Sequence, residues 1–189
     1  AAAVEGDCKI TPEQLGAAIT QKTKMIWYSS PCNPSGSVYS REELTALAKV
    51  LEKYPNIFVV SDEIYEHINF SGTFCSIASI PGMFERTITV NGVAKAFAMT
   101  GWRIGYIGAP EFIAKACTKM QGQVTSGANS IAQRATITAV DADPSVLNEM
   151  VGAFKRRRDL VVGLINNIPG LRLNVPEGAF YVFPDVSSY

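Results

Sequence analysis

The sequence predicts a three-layer α/β fold on a mostly parallel sheet whose last strand runs antiparallel. Three observations carry this. Short β-branched or aromatic runs alternate with amphipathic helical segments through the first half of the chain, as right-handed crossovers between parallel strands require. Two of those helical segments open with a capping box, Thr11-Pro12-Glu13-Gln14 and Ser40-Arg41-Glu42-Glu43. The connection from Lys95 to Gly101 is too short for a parallel crossover, so the strand after it must turn back.

Thr11 caps a helix with proline in its first turn, reaching about Ile19 and feeding a strand at Lys24–Tyr28. Ser40 opens a second helix with Leu44, Leu47, Ala48 and Leu51 on one face. A strand at Ile57–Val60 follows and ends in Ser61-Asp62. A loop marked by Gly, Ser and Pro runs through Met83, and a third strand spans Arg86–Val90. Gly101–Ala109 reads as the fourth strand, closed by Pro110, with Trp102 and Tyr106 packing the core. Helices are expected at Glu111–Met120 and Ser130–Val140. A long one opens at Asp143-Pro144, repeats apolar residues from Leu147 to Ile168, and stops at Pro169-Gly170. Gly178–Phe183 alternates like a strand and breaks at Pro184.

At 189 residues and 47% hydrophobic, the chain can bury a real core. Seventeen basic residues balance seventeen acidic ones, which gives no electrostatic reason to expect nucleic acid or an anionic membrane as partner. No apolar run is long enough to span a bilayer, and the first residues lack the basic start of a secretory signal. Cys8, Cys32, Cys75 and Cys117 are widely spaced beside a single histidine, which argues against a zinc site and for reduced thiols in a cytoplasmic protein. Cys32, in a loop beside Asn33, is the one thiol to watch for reactivity. The basic run Lys155–Arg158 lies inside an amphipathic helix and reads as a solvated face; His67 reads as a solvated turn residue.

Lys95 stands out. It follows the β-branched run Thr87–Val90, has small residues around it, and precedes Arg103 by eight positions. Schiff-base chemistry needs a neutral amine, and a poorly solvated setting favours that form. Two other polar clusters also close apolar runs: Ser29–Gly36 with Asn33, and Ser61–His67 with Asp62 and Tyr65. In an open α/β sheet, ligands bind outside the carboxyl ends of the strands. Three strand ends therefore deliver Asn33, Asp62 with Tyr65, and Lys95 to one crevice. Each residue also has a plainer role open to it. Asp62 can cap its turn, Tyr65 can be a half-buried core aromatic, Asn33 can be the turn residue before Pro34, and Arg103 can pair with an acidic neighbour.

The segments Ser-Pro-Cys-Asn-Pro-Ser-Gly (30–36), Asp-Glu-Ile-Tyr-Glu-His (62–67), Thr89–Tyr106 and Pro176–Phe183 occur in register through nearly the whole chain. In that order they resemble the aspartate aminotransferase family, of the class I and II, fold-type-I pyridoxal-phosphate enzymes, and in particular its bacterial aspartate/prephenate branch. The resemblance implies that residues 1–143 form the C-terminal half of a cofactor-binding large domain. Residues 144–189 would then be the inter-domain helix and the first strand of a small α+β domain. It implies that Lys95 forms the Schiff base with pyridoxal 5'-phosphate and moves the substrate's α-proton. Asp62 would pair with the pyridine nitrogen, Tyr65 and Asn33 would hydrogen-bond the ring's phenolic oxygen, and Arg103 would clamp the phosphate.

The family often has serine close before the lysine as a phosphate ligand; Gly92 and Ala94 stand there instead, which leaves more of that contact to Arg103. The implied reaction is exchange of an amino group between an amino acid, aspartate being favoured, and a 2-oxo acid such as 2-oxoglutarate. A pyridoxal-phosphate β-lyase, or an aminotransferase for aromatic or other amino acids, is the alternative. The resemblance also implies a homodimer for the intact enzyme. The chain itself reads as a central piece lacking the Gly-rich phosphate turn and the carboxylate-binding arginine, and as such is expected to be inactive alone.

Overall fold

A computed structural model describes residues 7–72 and 74–189. Its sheet holds four strands in chain order: β1 (Met25–Ser29), β2 (Phe58–Asp62), β3 (Thr87–Asn91) and β4 (Tyr106–Gly108). The first three are parallel and β4 returns antiparallel to β3, as the short connection requires. Ser29 pairs with Asp62 and Asp62 with Val90, so three strands finish on one rim.

Local chemistry sets the helix starts. Thr11 and Ser40 form reciprocal capping boxes with Gln14 and Glu43 ahead of α1 (Pro12–Ala18) and α2 (Arg41–Leu51). Leu44, Leu47, Ala48 and Leu51 of α2 enter a core with Leu15, Ile57, Val59, Ile77 and Met83. A fully buried leucine such as Leu44 contributes about 1.5–3 kcal/mol by leaving water. Arg86 ties this layer to the sheet: its guanidinium donates to the carbonyls of Leu51 (3.0 Å), Ile57 (2.9 Å) and Tyr54.

The second half departs from the sequence reading in several places. The strand expected over Gly101–Ala109 pairs only at Tyr106–Gly108, because Thr100–Trp102 form a 3-10 turn and Arg103 is left-handed at φ 56°. Trp102 and Tyr106, expected in the core, are each 45% exposed. Tyr106 lies on the outermost strand of the sheet and Trp102 in the turn before it, and the adjacent α3 (Glu111–Val124) buries no residue fully. That helix runs one turn past Met120. α4 (Ser130–Val140) is as expected, capped by Asn129. Asp143 caps a 3-10 turn, Pro144–Leu147, which leads into α5 (Asn148–Asn166).

Gly178–Phe183 forms no strand. Ala179 sits at φ 58°, which breaks an extended run, and pairing is limited to isolated bridges at Asn69–Gly178 and Arg172–Asp185. The segment instead lays its backbone onto loops at the sheet rim. Glu177 and Gly178 N–H donate to Gly36 O (2.9 Å each), Ala179 N–H to Ile68 O (2.8 Å), and Phe70 N–H to Glu177 O (2.7 Å). Gly178 must be glycine there: a Cβ would lie 2.6 Å from Pro31 Cβ.

Candidate active site

β2 runs through Asp62 and turns at once. Glu63 N–H donates to Val90 O (2.9 Å), which holds the turn against the end of β3, and Ile64 N–H donates to Asp62 Oδ1 (3.2 Å). Asp62 therefore caps its own turn while remaining half-buried on the rim. Glu63, the next residue, is only 3% exposed. Its carboxyl accepts from Ser61 Oγ (2.8 Å) and Ser76 Oγ (2.6 Å), and the Tyr28 hydroxyl lies 2.9 Å from Ser61 Oγ. Burial pushes the Glu63 carboxyl and the Tyr28 phenol above their ordinary values.

Three residues after Asp62, Tyr65 is buried rather than merely half-buried. Its hydroxyl meets that of Tyr181 at 2.7 Å, and burial with this contact pushes the phenol well up.

β3 ends at Asn91, whose side chain bonds in two directions. Nδ2 donates to Glu66 Oε1 (2.6 Å), joining the Asp62–Glu66 turn, while Oδ1 accepts from Gly92 N–H (2.7 Å). Gly92 lies against the returning chain, where a Cβ would be 2.8 Å from Ile104 O. This close approach explains the glycine before Lys95 in place of a larger residue. A tight turn then presents Lys95, closed by Ala98 in a left-handed conformation. Lys95 Nζ lies 5.8 Å from the Tyr65 ring centroid and 5.6 Å from that of Phe180. Phe180 meets Tyr65 edge-on at 5.2 Å and stacks on Phe154 of α5 at the same distance. The lysine thus occupies an aromatic corner with walls from β2's turn and from the C-terminal segment.

The structure brings Lys95 and Tyr65 together, with Asp62 on the same turn. Asn33 lies on the neighbouring loop, exposed, in a stretch tied to β2 by Ser30 N–H donating to Asp62 O (3.1 Å). Among the described residues no hydrogen bond or ion pair joins Arg103 to this corner. Arg103 is exposed, donates to Thr100 O (2.8 Å), and lines a cleft of about 1360 Å³ between β4, α3 and α4. Left-handed, non-glycine backbone recurs around the rim at Ala98, Arg103 and Ala179. Such conformations cost about 1–3 kcal/mol each and collect at functional sites. Phe180, Tyr181, Glu63 and the Asn91–Glu66 bond have no role of their own in the sequence reading, although they lie in the segments that carry the resemblance. A usable signal for the first two was the pair of small residues, Gly178-Ala179, just before two aromatics.

The profile described as aminotransferase class I and II matches residues 2–189. The chain belongs to that family. It is 46% identical over 187 residues to an aspartate aminotransferase of Pinus pinaster, covering 97% of this chain and 38% of the relative. It is 48% identical over 189 residues to an aspartate/prephenate aminotransferase of Cereibacter sphaeroides, covering 99% and 47%. The crystal structure of the aspartate aminotransferase from Rhizobium meliloti superposes with a TM-score of 0.90 at 47% identity, over 93% of this chain and 44% of that one. The chain spans less than half the length of these relatives. Among its described residues no helix is long and apolar enough to cross a membrane, and no cluster of three or more His, Cys, Asp or Glu could hold a metal.

Proposed function

We propose that these residues supply the lysine-bearing part of a pyridoxal-phosphate aminotransferase that exchanges an amino group between aspartate and a 2-oxo acid such as 2-oxoglutarate. The observation that carries this is the placement of Lys95 Nζ within 6 Å of both the Tyr65 and Phe180 rings, Tyr65 lying on the turn that Asp62 opens. The relatives' names, aspartate and aspartate/prephenate aminotransferase, support the substrate class.

The donor set suits the cofactor. An amine at Lys95 matches its aldehyde, a carboxylate at Asp62 its ring nitrogen, the phenol of Tyr65 and amide of Asn33 its ring oxygen, and the guanidinium of Arg103 its phosphate. When bound, the cofactor supplies the electron sink for the pair left behind as the amino acid loses its α-proton. Lys95 then takes that proton and returns it as general base and acid. Asp62 keeps the ring nitrogen protonated, and its turn is held from β3 through Asn91 and Glu66. Phe180, backed by Phe154, covers one side of the amine. The whole protein is proposed to be a cytoplasmic homodimer, a setting consistent with free thiols at Cys8, Cys32, Cys75 and Cys117.

The test is Lys95→Ala in the whole protein. Aspartate-dependent amino transfer to 2-oxoglutarate should fall by at least about 10³-fold, with loss of the covalent cofactor absorbance. Retention of either, or release of pyruvate and ammonia by the unsubstituted protein, contradicts the proposal.

A further inference from the structure

We propose that Tyr181 is a positioning residue for Tyr65: its hydroxyl, carried by the C-terminal segment, orients the Tyr65 phenol toward the ring oxygen of the cofactor. This rests on the cofactor reading above. The geometry is specific. The Tyr65 ring is enclosed, and the only hydrogen-bond partner found for its hydroxyl among the described residues is Tyr181 at 2.7 Å. The two rings meet nearly perpendicular, at 81° and 5.8 Å, so the hydroxyls meet without the rings stacking. Tyr181 is itself held. Its segment donates Ala179 N–H to Ile68 O and Gly178 N–H to Gly36 O, and Arg158 Nη1 donates to Pro176 O at 2.5 Å.

A phenol has one proton to give. A ring oxygen bearing negative charge is the stronger acceptor, so Tyr65 donates to it and Tyr181 donates to Tyr65. Chained in this way, each hydrogen bond strengthens the next. The charged groups facing the Tyr65 phenol are Asp62 on its own turn and Lys95 from the turn after β3. Removing the Tyr181 hydroxyl weakens the stabilisation of the ring oxygen's charge. The proton shared between that oxygen and the Lys95 nitrogen is then held to higher pH.

The experiment is a pH titration of the bound cofactor's visible absorbance in the whole protein, for wild type, Tyr181→Phe, Tyr65→Phe and the double variant. Tyr181→Phe should move the midpoint upward by roughly half a pH unit, the share of one modest hydrogen bond. Tyr65→Phe should move it further in the same direction, and the double variant should match Tyr65→Phe alone. An unmoved midpoint in Tyr181→Phe, or a double variant showing the sum of both shifts, overturns the inference while leaving the cofactor reading intact. In the cofactor-free protein, the Ala179 amide should stay as protected from hydrogen exchange in Tyr181→Phe as in wild type. Faster exchange there would mean the segment had unseated, and would overturn the role given to the hydroxyl. A wild-type protein with no cofactor band removes the cofactor reading and this inference together.

Discussion

Glu63 shows how much can depend on one side chain beside a site. It is an acid on the same turn as Asp62, yet it faces inward onto two serine hydroxyls. Its carboxyl is raised mainly by burial, so folding favours its protonated form. Its contribution to stability is therefore whole below the ordinary glutamate value and declines as pH climbs toward the raised one. Glu63→Gln keeps a hydrogen-bonding group and cannot ionise. Its urea midpoint relative to wild type should rise between about pH 4.5 and pH 8; a difference that stays flat with pH would refute the assignment. The candidates Asp62 and Lys95 could be picked out in the sequence because each follows closely on a β-branched run, and Tyr65 because it lies three residues past Asp62. Glu63 and Tyr181 could not, since their importance comes from Ser76 and Tyr65, partners distant in sequence.

Elements whose signals are local matched expectation. The capping boxes at Thr11 and Ser40 and the strand ends at Asp62 and Asn91 are decided within a few residues. The strand expected at Gly101–Ala109 is shortened to Tyr106–Gly108 and the one at Gly178–Phe183 is absent, and in each a left-handed residue, Arg103 or Ala179, interrupts the extended run. Alternating hydrophobicity does not report backbone handedness, and in Gly178–Phe183 it reflects the rim loops on one side and α5 on the other. The seating of that segment depends on Gly178, where an added Cβ meets Pro31 Cβ at 2.6 Å and Cγ at 2.8 Å. Gly178→Ala should cost about 1–3 kcal/mol in denaturant unfolding of the whole protein and loosen the Phe180 wall beside Lys95. Unchanged stability would show that Pro31 gives way easily.

On the scale of the whole chain, apolar surface gathers on the side of β4 and α3. Trp102, Tyr106, Ile107, Phe112, Met120 and Val124 are all at least 37% exposed. Monomeric proteins rarely show contiguous apolar area beyond a few hundred Å². The 189-residue chain by itself should bind a hydrophobic dye strongly and associate as concentration rises in sedimentation; a dye-silent monomer at high concentration would contradict this. The returning course of β4 has a different kind of consequence, for how length can vary. One residue added between Gly92 and Gly105 would slip β4 against β3 and turn its side chains to the opposite face, while dragging the amine away from its aromatic walls. The exposed Gln21-Lys22 turn, at the far rim ahead of β1, constrains neither a pairing register nor the chemistry. Insertions and deletions can therefore accumulate at that end of the sheet, while the stretch holding Lys95 and Arg103 keeps a fixed length.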